Sequence, residues 1–170
     1  MTIFCYLLGA YLIYLLLVAL HELGHLMACF WFKLGWREFQ VGPFALERRG
    51  QETHLVYSPR WFGGQVKYVL RPGRILTLRE SIIFLLAGCS TNLALSAALI
   101  FIFCRMSPRD EDTCWPILLA GCLSFFMAFE NLYPHKRREF QSDGSQMLQL
   151  WRSRRRNNTI EKTNASSGDS

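Results

Sequence analysis

The sequence lacks the paired cysteines that hold small secreted domains and zinc knuckles together. None of its six cysteines forms a Cys-x-x-Cys pair, and five lie within or at the ends of apolar segments. A disulfide framework or a zinc knuckle needs closely spaced pairs, so we interpret the cysteines as small apolar packing residues. They are Cys5, Cys29, Cys89, Cys104, Cys114 (just before an apolar segment) and Cys122.

Nucleic-acid motifs and a convincing signal peptide are also missing. The net charge is +6, but the basic residues lie between and after apolar runs, where they suit membrane topology and lipid headgroups. No basic segment precedes the first apolar run, the run is too long, and no small-residue cleavage site follows it. We therefore expect no nucleic-acid partner and a retained N-terminal membrane helix.

Charged residues are scarce in three long apolar segments, residues 3–32, 81–104 and 115–133. A helix needs roughly 20 apolar residues to cross the hydrocarbon core of a bilayer. Trp115 and Tyr133 are placed as interfacial anchors of the third segment. The sequence therefore predicts an α-helical, multi-pass membrane protein with three core transmembrane helices.

The loop between the first two segments is polar and rich in turns. Extended segments are predicted around Gly42-Pro43, at 53–57 and at 65–70, with a hairpin turn at 48–51. We expect a small β-sheet lying at the membrane surface. One of its edge strands is a candidate to receive an extended substrate peptide by strand addition.

The C-terminal part is predicted to contain a basic loop, a short helix and a tail. The loop covers residues 134–142 and the helix 144–151, so that residues 1–151 form the membrane-embedded core. Residues 152–170 are basic and then rich in Asn, Ser and Thr, a composition typical of disorder. We expect the basic tail to meet anionic lipid through Arg152, Arg154, Arg155 and Arg156.

The first apolar segment carries the motif His21-Glu22-Leu23-Gly24-His25. On a helix the two histidines project from one face, one turn apart, where they can share a zinc ion. The intervening Glu22 can then act as general base on a water molecule held by the metal. HExxH also occurs by chance in soluble helices, but polar groups in a membrane helix need partners and usually mark function.

The distribution of basic residues predicts the topology. Nine of the 19 basic residues lie in 33–79, two in 105–109 and eight in 136–162. By the positive-inside rule the first loop and the C-terminus face the cytoplasm, with the N-terminus outside. The histidine pair, Asn92 in the second segment and Asp143 after the third then all reach the cytoplasmic leaflet. Asn92 suits either a hydrogen bond between helices or a group that holds a substrate carbonyl, and Glu130 suits the membrane interface.

Three further sequence elements accompany the HExxH motif. They are Ala-Gly-x-x-x-Asn (Ala87, Gly88 and Asn92), Asn-Leu-x-Pro (Asn131, Leu132 and Pro134) and Asp143-Gly144. In this order the motifs resemble the site-2 protease family of intramembrane zinc metalloproteases, over roughly 19–147. The resemblance implies a minimal catalytic core with one Zn²⁺ per chain, Asp143 as third ligand, Asn92 positioning the substrate, and a membrane protein or peptide as substrate. Cys89 stands where the family often has proline.

The predicted function is therefore zinc-dependent intramembrane peptide hydrolysis. His21, His25 and Asp143 are the expected metal ligands, and Glu22 and Asn92 the expected catalytic residues. One alternative is a non-catalytic homologue that binds a membrane partner, for which Glu22 would be dispensable. A metal transporter or sensor is a third class, but it would need polar groups along a whole transmembrane path, and these occur only in the cytoplasmic half.

Overall fold

The structure is a computed structural model that describes residues 2–106, 111–137 and 140–154. Three long helices, α1 (Thr2–Trp31), α2 (Leu78–Arg105) and α3 (Glu111–Leu132), form its framework. By length and apolar composition each is able to cross a membrane, which confirms the three predicted spans and makes the chain a multi-pass membrane protein. Most of the predicted disordered tail lies outside the described residues.

A four-stranded antiparallel sheet follows α1, as predicted. Its strands are β1 (Gly35–Val41), β2 (Phe44–Arg49), β3 (Glu52–Tyr57) and β4 (Gly64–Val69), in the order β3-β2-β1-β4. Gly42 and Gly50, in the two tight turns, have positive φ angles of 52° and 67°, which glycine adopts without steric cost. The sheet lies against α1 through β1 and β4, and β4 is an edge strand.

Small residues allow α1 and α2 to approach closely beside the HExxH motif. A Cβ atom at Gly24 would lie 2.7 Å from the carbonyl oxygen of Ala87 and would also overlap Thr91. Glycine at such a crossing lets two helix backbones come together, as is common in membrane bundles. The second half of α1 therefore lies directly on the Ala-Gly-x-x-x-Asn segment of α2.

The helix α2 begins at Leu78, three residues earlier than predicted. Thr77 caps it, with its hydroxyl accepting a hydrogen bond from Glu80 N at 3.2 Å while Glu80 Oε2 accepts from Thr77 N at 2.8 Å. This reciprocal pair is a capping box, which satisfies backbone donors at the helix start. The extra turn is polar and precedes the apolar run from which the span was predicted.

A short helix, α4, begins at residue 143, one residue earlier than predicted, and continues past the predicted end to residue 154, the last described residue. The preceding loop is not wholly irregular, since β5 (Lys136–Arg137) pairs with β6 (Phe140–Gln141). Ser142 Oγ caps α4 by accepting from Ser145 N at 3.2 Å, and it also lies 2.9 Å from the carbonyl oxygen of Tyr133. The start of α4 is therefore fastened to the end of α3.

Candidate metal centre

The structure brings the two histidines of α1 and the aspartate of α4 to one point. His21 Nε2 and His25 Nε2 are 3.3 Å apart, and Asp143 Oδ2 lies 3.4 Å from the first and 3.3 Å from the second. All three residues are buried. Among the described residues they form a group able to hold one metal ion.

The triangle of ligand atoms fits zinc. Zinc bonds to imidazole nitrogen and carboxylate oxygen are about 2.0–2.2 Å long, so tetrahedral ligands lie about 3.3–3.6 Å from one another. The three separations of 3.3, 3.3 and 3.4 Å match this spacing. Two histidines and one carboxylate are also a ligand set of catalytic zinc sites, in which the fourth position stays open.

The other ring nitrogen of each histidine has a partner. His25 Nδ1 lies 2.8 Å from the carbonyl oxygen of Phe84. A carbonyl only accepts, so Nδ1 carries the proton and Nε2 keeps the lone pair that a metal requires. His21 Nδ1 lies 3.3 Å from the amide group of Asn92, a fully buried residue of α2.

The third residue of this group, Asp143, is held by the junction between α3 and α4. A Cβ atom at Gly144 would overlap the carbonyl group of Leu132, so this position accepts only glycine without a shift of α4. Burial opposes ionisation of Asp143, but the two neighbouring imidazoles outweigh it and lower the pKa of Asp143 to about 2. The carboxylate is therefore ionised at neutral pH, the form that binds a cation.

Gly88 leaves open the space that the histidine nitrogens face. A Cβ atom at Gly88 would lie 2.5 Å from His25 Nε2 and 2.6 Å from His21 Nε2. Because glycine has no side chain, an open space remains beside the two histidine nitrogens, and we call this space the cradle. The sequence indicates Gly88 only as part of the Ala-Gly-x-x-x-Asn motif, and its distance to the two nitrogens reveals this role.

Glu22 and a cavity adjoin the ligand group. Glu22 is 5% exposed, and with His21 it lines a cavity of about 360 Å³ between α1, α3 and the segment that leads into β4. The backbone of Gly64 lies against Glu22, since a Cβ atom there would be 2.5 Å from Glu22 Cγ. A buried carboxylate beside a metal site and an accessible cavity is well placed to move protons.

Cys89 adds one contact that the sequence did not indicate. Its thiol is buried and lies 3.8 Å from Asp143 Oδ2, within the range of a weak sulfur hydrogen bond. The five cysteines whose side chains are described are free thiols. Cys29 and Cys89 are buried, whereas Cys5, Cys104 and Cys122 are exposed on the apolar helices.

Comparison with known families gives an independent result. Residues 9–109 match the profile of Peptidase family M50, whereas comparisons with curated proteins and with solved structures give no match. The match includes the HExxH motif and the Ala-Gly-x-x-x-Asn segment and ends before Asp143, whose place in the metal group rests on the geometry. Since the match covers more than half of the sequence, the chain belongs to peptidase family M50, the site-2 protease family of metallopeptidases.

Proposed function

We propose that the protein is a zinc-dependent intramembrane endopeptidase. Its substrate would be a membrane-embedded or membrane-associated protein or peptide, cut near the cytoplasmic leaflet. The convergence of His21, His25 and Asp143 at 3.3–3.4 Å within a bundle of apolar helices carries this proposal. Membership of a metallopeptidase family supports peptide-bond hydrolysis as the reaction.

The metal ligands and Glu22 would have different roles in peptide-bond hydrolysis. Zinc held by the three ligands would supply a Lewis acid that activates water and polarises the substrate carbonyl. Glu22 would take a proton from the attacking water as its oxygen bonds to the carbonyl carbon. The same carboxyl group would then give the proton to the nitrogen of the leaving amine as the C–N bond breaks. Its burial keeps bulk water from competing for that proton.

Asn92 is proposed to support the site in one of two ways. A metal at Nε2 of His21 requires the proton on Nδ1, which then needs an acceptor. Asn92 Oδ1 is fully buried and has no hydrogen-bond partner among the described residues. If the side-chain amide is turned by half a turn, so that its oxygen and nitrogen exchange places, Oδ1 faces His21 Nδ1 and accepts its proton in a hydrogen bond. The contact with His21 therefore supports a positioning role, alongside the role of holding the substrate carbonyl that its motif suggested.

The substrate is proposed to reach the site as an extended strand. The edge strand β4 begins at Gly64, directly against Glu22. A peptide added to β4 would pair its backbone with the strand and expose its carbonyl groups next to the site. A helical substrate would have to unwind locally first, because a helix keeps its carbonyl groups in internal hydrogen bonds.

The membrane orientation is also a proposal. The basic residues predict that the sheet and the C-terminus face the cytoplasm. In that orientation Arg152 and Arg154, whose side chains are exposed, would contact anionic headgroups together with the rest of the tail. We expect a reporter that works only in the cytoplasm to be active when it is fused to the C-terminus. An inactive reporter on protein that has inserted into the membrane would show the opposite orientation.

The competing function is a non-catalytic membrane protein that binds a partner. Incubation of the zinc-loaded protein, in lipid vesicles, with a panel of single-span peptides separates the two. We expect cleavage near the membrane–water boundary that stops when zinc is chelated and returns when zinc is restored, with product ends read by mass spectrometry. Peptides that bind but are never cut would indicate a non-catalytic protein and would contradict the proposed endopeptidase function.

A further inference from the structure

The cavity beside Glu22 extends along α1 away from the metal group. Tyr14, Val18, His21 and Glu22 line it from α1, and their spacing places them on one face of the helix. Tyr14 is seven residues before His21, so it lies about 10 Å further along α1, on the other side of the midpoint of that helix. The cavity therefore extends from the metal group into the membrane-spanning part of the protein.

The lining of the cavity combines apolar and polar side chains. Its apolar surface comes from Tyr14, Val18, Phe62 and Met127, and its polar lining groups besides His21 and Glu22 are Arg60, Glu130, Asn131 and His135. Such a cavity matches the apolar surface with a few polar groups that is typical of ligand pockets.

The wall formed by residues 61–64 is fixed by two tyrosines. Tyr11 Oη donates a hydrogen bond to the carbonyl oxygen of Trp61 at 2.9 Å, and Gly63 N donates one to Tyr14 Oη at 2.9 Å. The ring of Phe62 meets those of Tyr11 and Tyr14 edge-on, with centroids 6.0 and 5.9 Å away. Phe62 is thereby held beside the cavity although it is 73% exposed.

We propose that this cavity is a specificity pocket for a large apolar side chain, aromatic or branched aliphatic, next to the bond that is cut. This proposal rests on the proposed function. A peptide whose scissile carbonyl lies at the ligand group carries its next side chain about 3.3 Å further along an extended backbone, which brings it to the mouth of the cavity. Substrates would accordingly carry a bulky apolar residue next to the bond that is cut.

Two peptide hydroxamates that differ in one side chain test the pocket directly. The hydroxamate group binds zinc, and the adjacent side chain is either benzyl or a single hydrogen. On the zinc-loaded wild type in detergent we expect the benzyl compound to bind at least about tenfold more tightly, the discrimination that an apolar pocket provides for a few carbon atoms. Phe62→Ala should remove most of this preference, and Phe62→Leu should retain most of it.

Controls separate the pocket from the metal site. Phe62 is mostly exposed, so its replacement leaves no core cavity, and zinc content should stay at the wild-type level. Phe126→Ala, which removes another exposed aromatic ring from α3, should leave the preference unchanged. The proposal that the cavity is a specificity pocket would be overturned if both compounds bound the wild type with equal affinity. An unchanged preference for the benzyl compound in Phe62→Ala would overturn it as well. Failure of the zinc-loaded wild type to bind either compound would instead count against the proposed function.

Discussion

We expect Glu22→Gln to abolish peptide cleavage while the protein keeps its zinc. Glu22 is buried beside His21 and lines the cavity that a substrate would enter. Glutamine has nearly the same shape, but its amide cannot take a proton from water, and loss of a general base lowers rates by about 10²–10⁴-fold. The measurement is the rate of peptide cleavage in lipid vesicles, with zinc per chain determined on the same preparation.

Glu47→Gln provides a matched control for the Glu22 variant. Glu47 forms an ion pair with Arg49 on the sheet, with N and O 3.0 Å apart, and exposed pairs of this kind contribute little stability. We expect full cleavage and full zinc content in this variant. Wild-type cleavage by Glu22→Gln would show that Glu22 is not the base, and loss of its zinc would show that Glu22 supports the metal instead.

The second large effect is expected from Gly88→Ala, which should prevent zinc binding. The added methyl carbon would lie 2.5 and 2.6 Å from the two histidine nitrogens, so the side chains must move apart or the metal must leave. Alanine favours a helix over glycine by about 1 kcal/mol, so a folding defect of α2 itself is not the expected cause. The measurement is the number of zinc ions per chain in Gly88→Ala. It is made on protein that elutes as one species and retains its helical circular dichroism.

Two other substitutions give zinc-binding results with which Gly88→Ala can be compared. Gly9 also lies in a membrane helix, but a Cβ atom there would meet no atom within 4 Å, so Gly9→Ala should bind zinc fully. Asn92→Ala should weaken zinc binding about 10–100-fold, as is usual when a residue that orients a metal ligand is lost. A folded Gly88→Ala that holds a full complement of zinc would place the metal somewhere other than the cradle.

Much of the fold could be predicted because membrane spans and turns are local features. The three spans follow from the length of their apolar runs, and the turns of the sheet follow from glycines at 42 and 50. The start of α2 could have been found too, since Thr77 and Glu80 have the spacing of a capping box. It was missed because the span was predicted from hydrophobicity alone.

The candidate metal ligands could be proposed from sequence motifs, whereas the surroundings of the site could not be predicted. His21 and His25 share a helix face by their spacing, but Asp143 was assigned only through a family resemblance. The cradle at Gly88 depends on how closely α1 and α2 approach, and the cavity combines residues from α1, the 60–64 segment and the end of α3. Such long-range contacts leave no periodic pattern in the sequence.

The most direct test of the account is the number of zinc ions bound per chain in purified wild type and in Asp143→Ala. We predict close to one zinc in the wild type and almost none in the variant, because two histidines alone leave the site without its only negatively charged ligand. Both proteins should elute as the same single species and show the same helical content. Absence of zinc from well-folded wild type, or equal zinc in Asp143→Ala, would contradict a centre built from His21, His25 and Asp143.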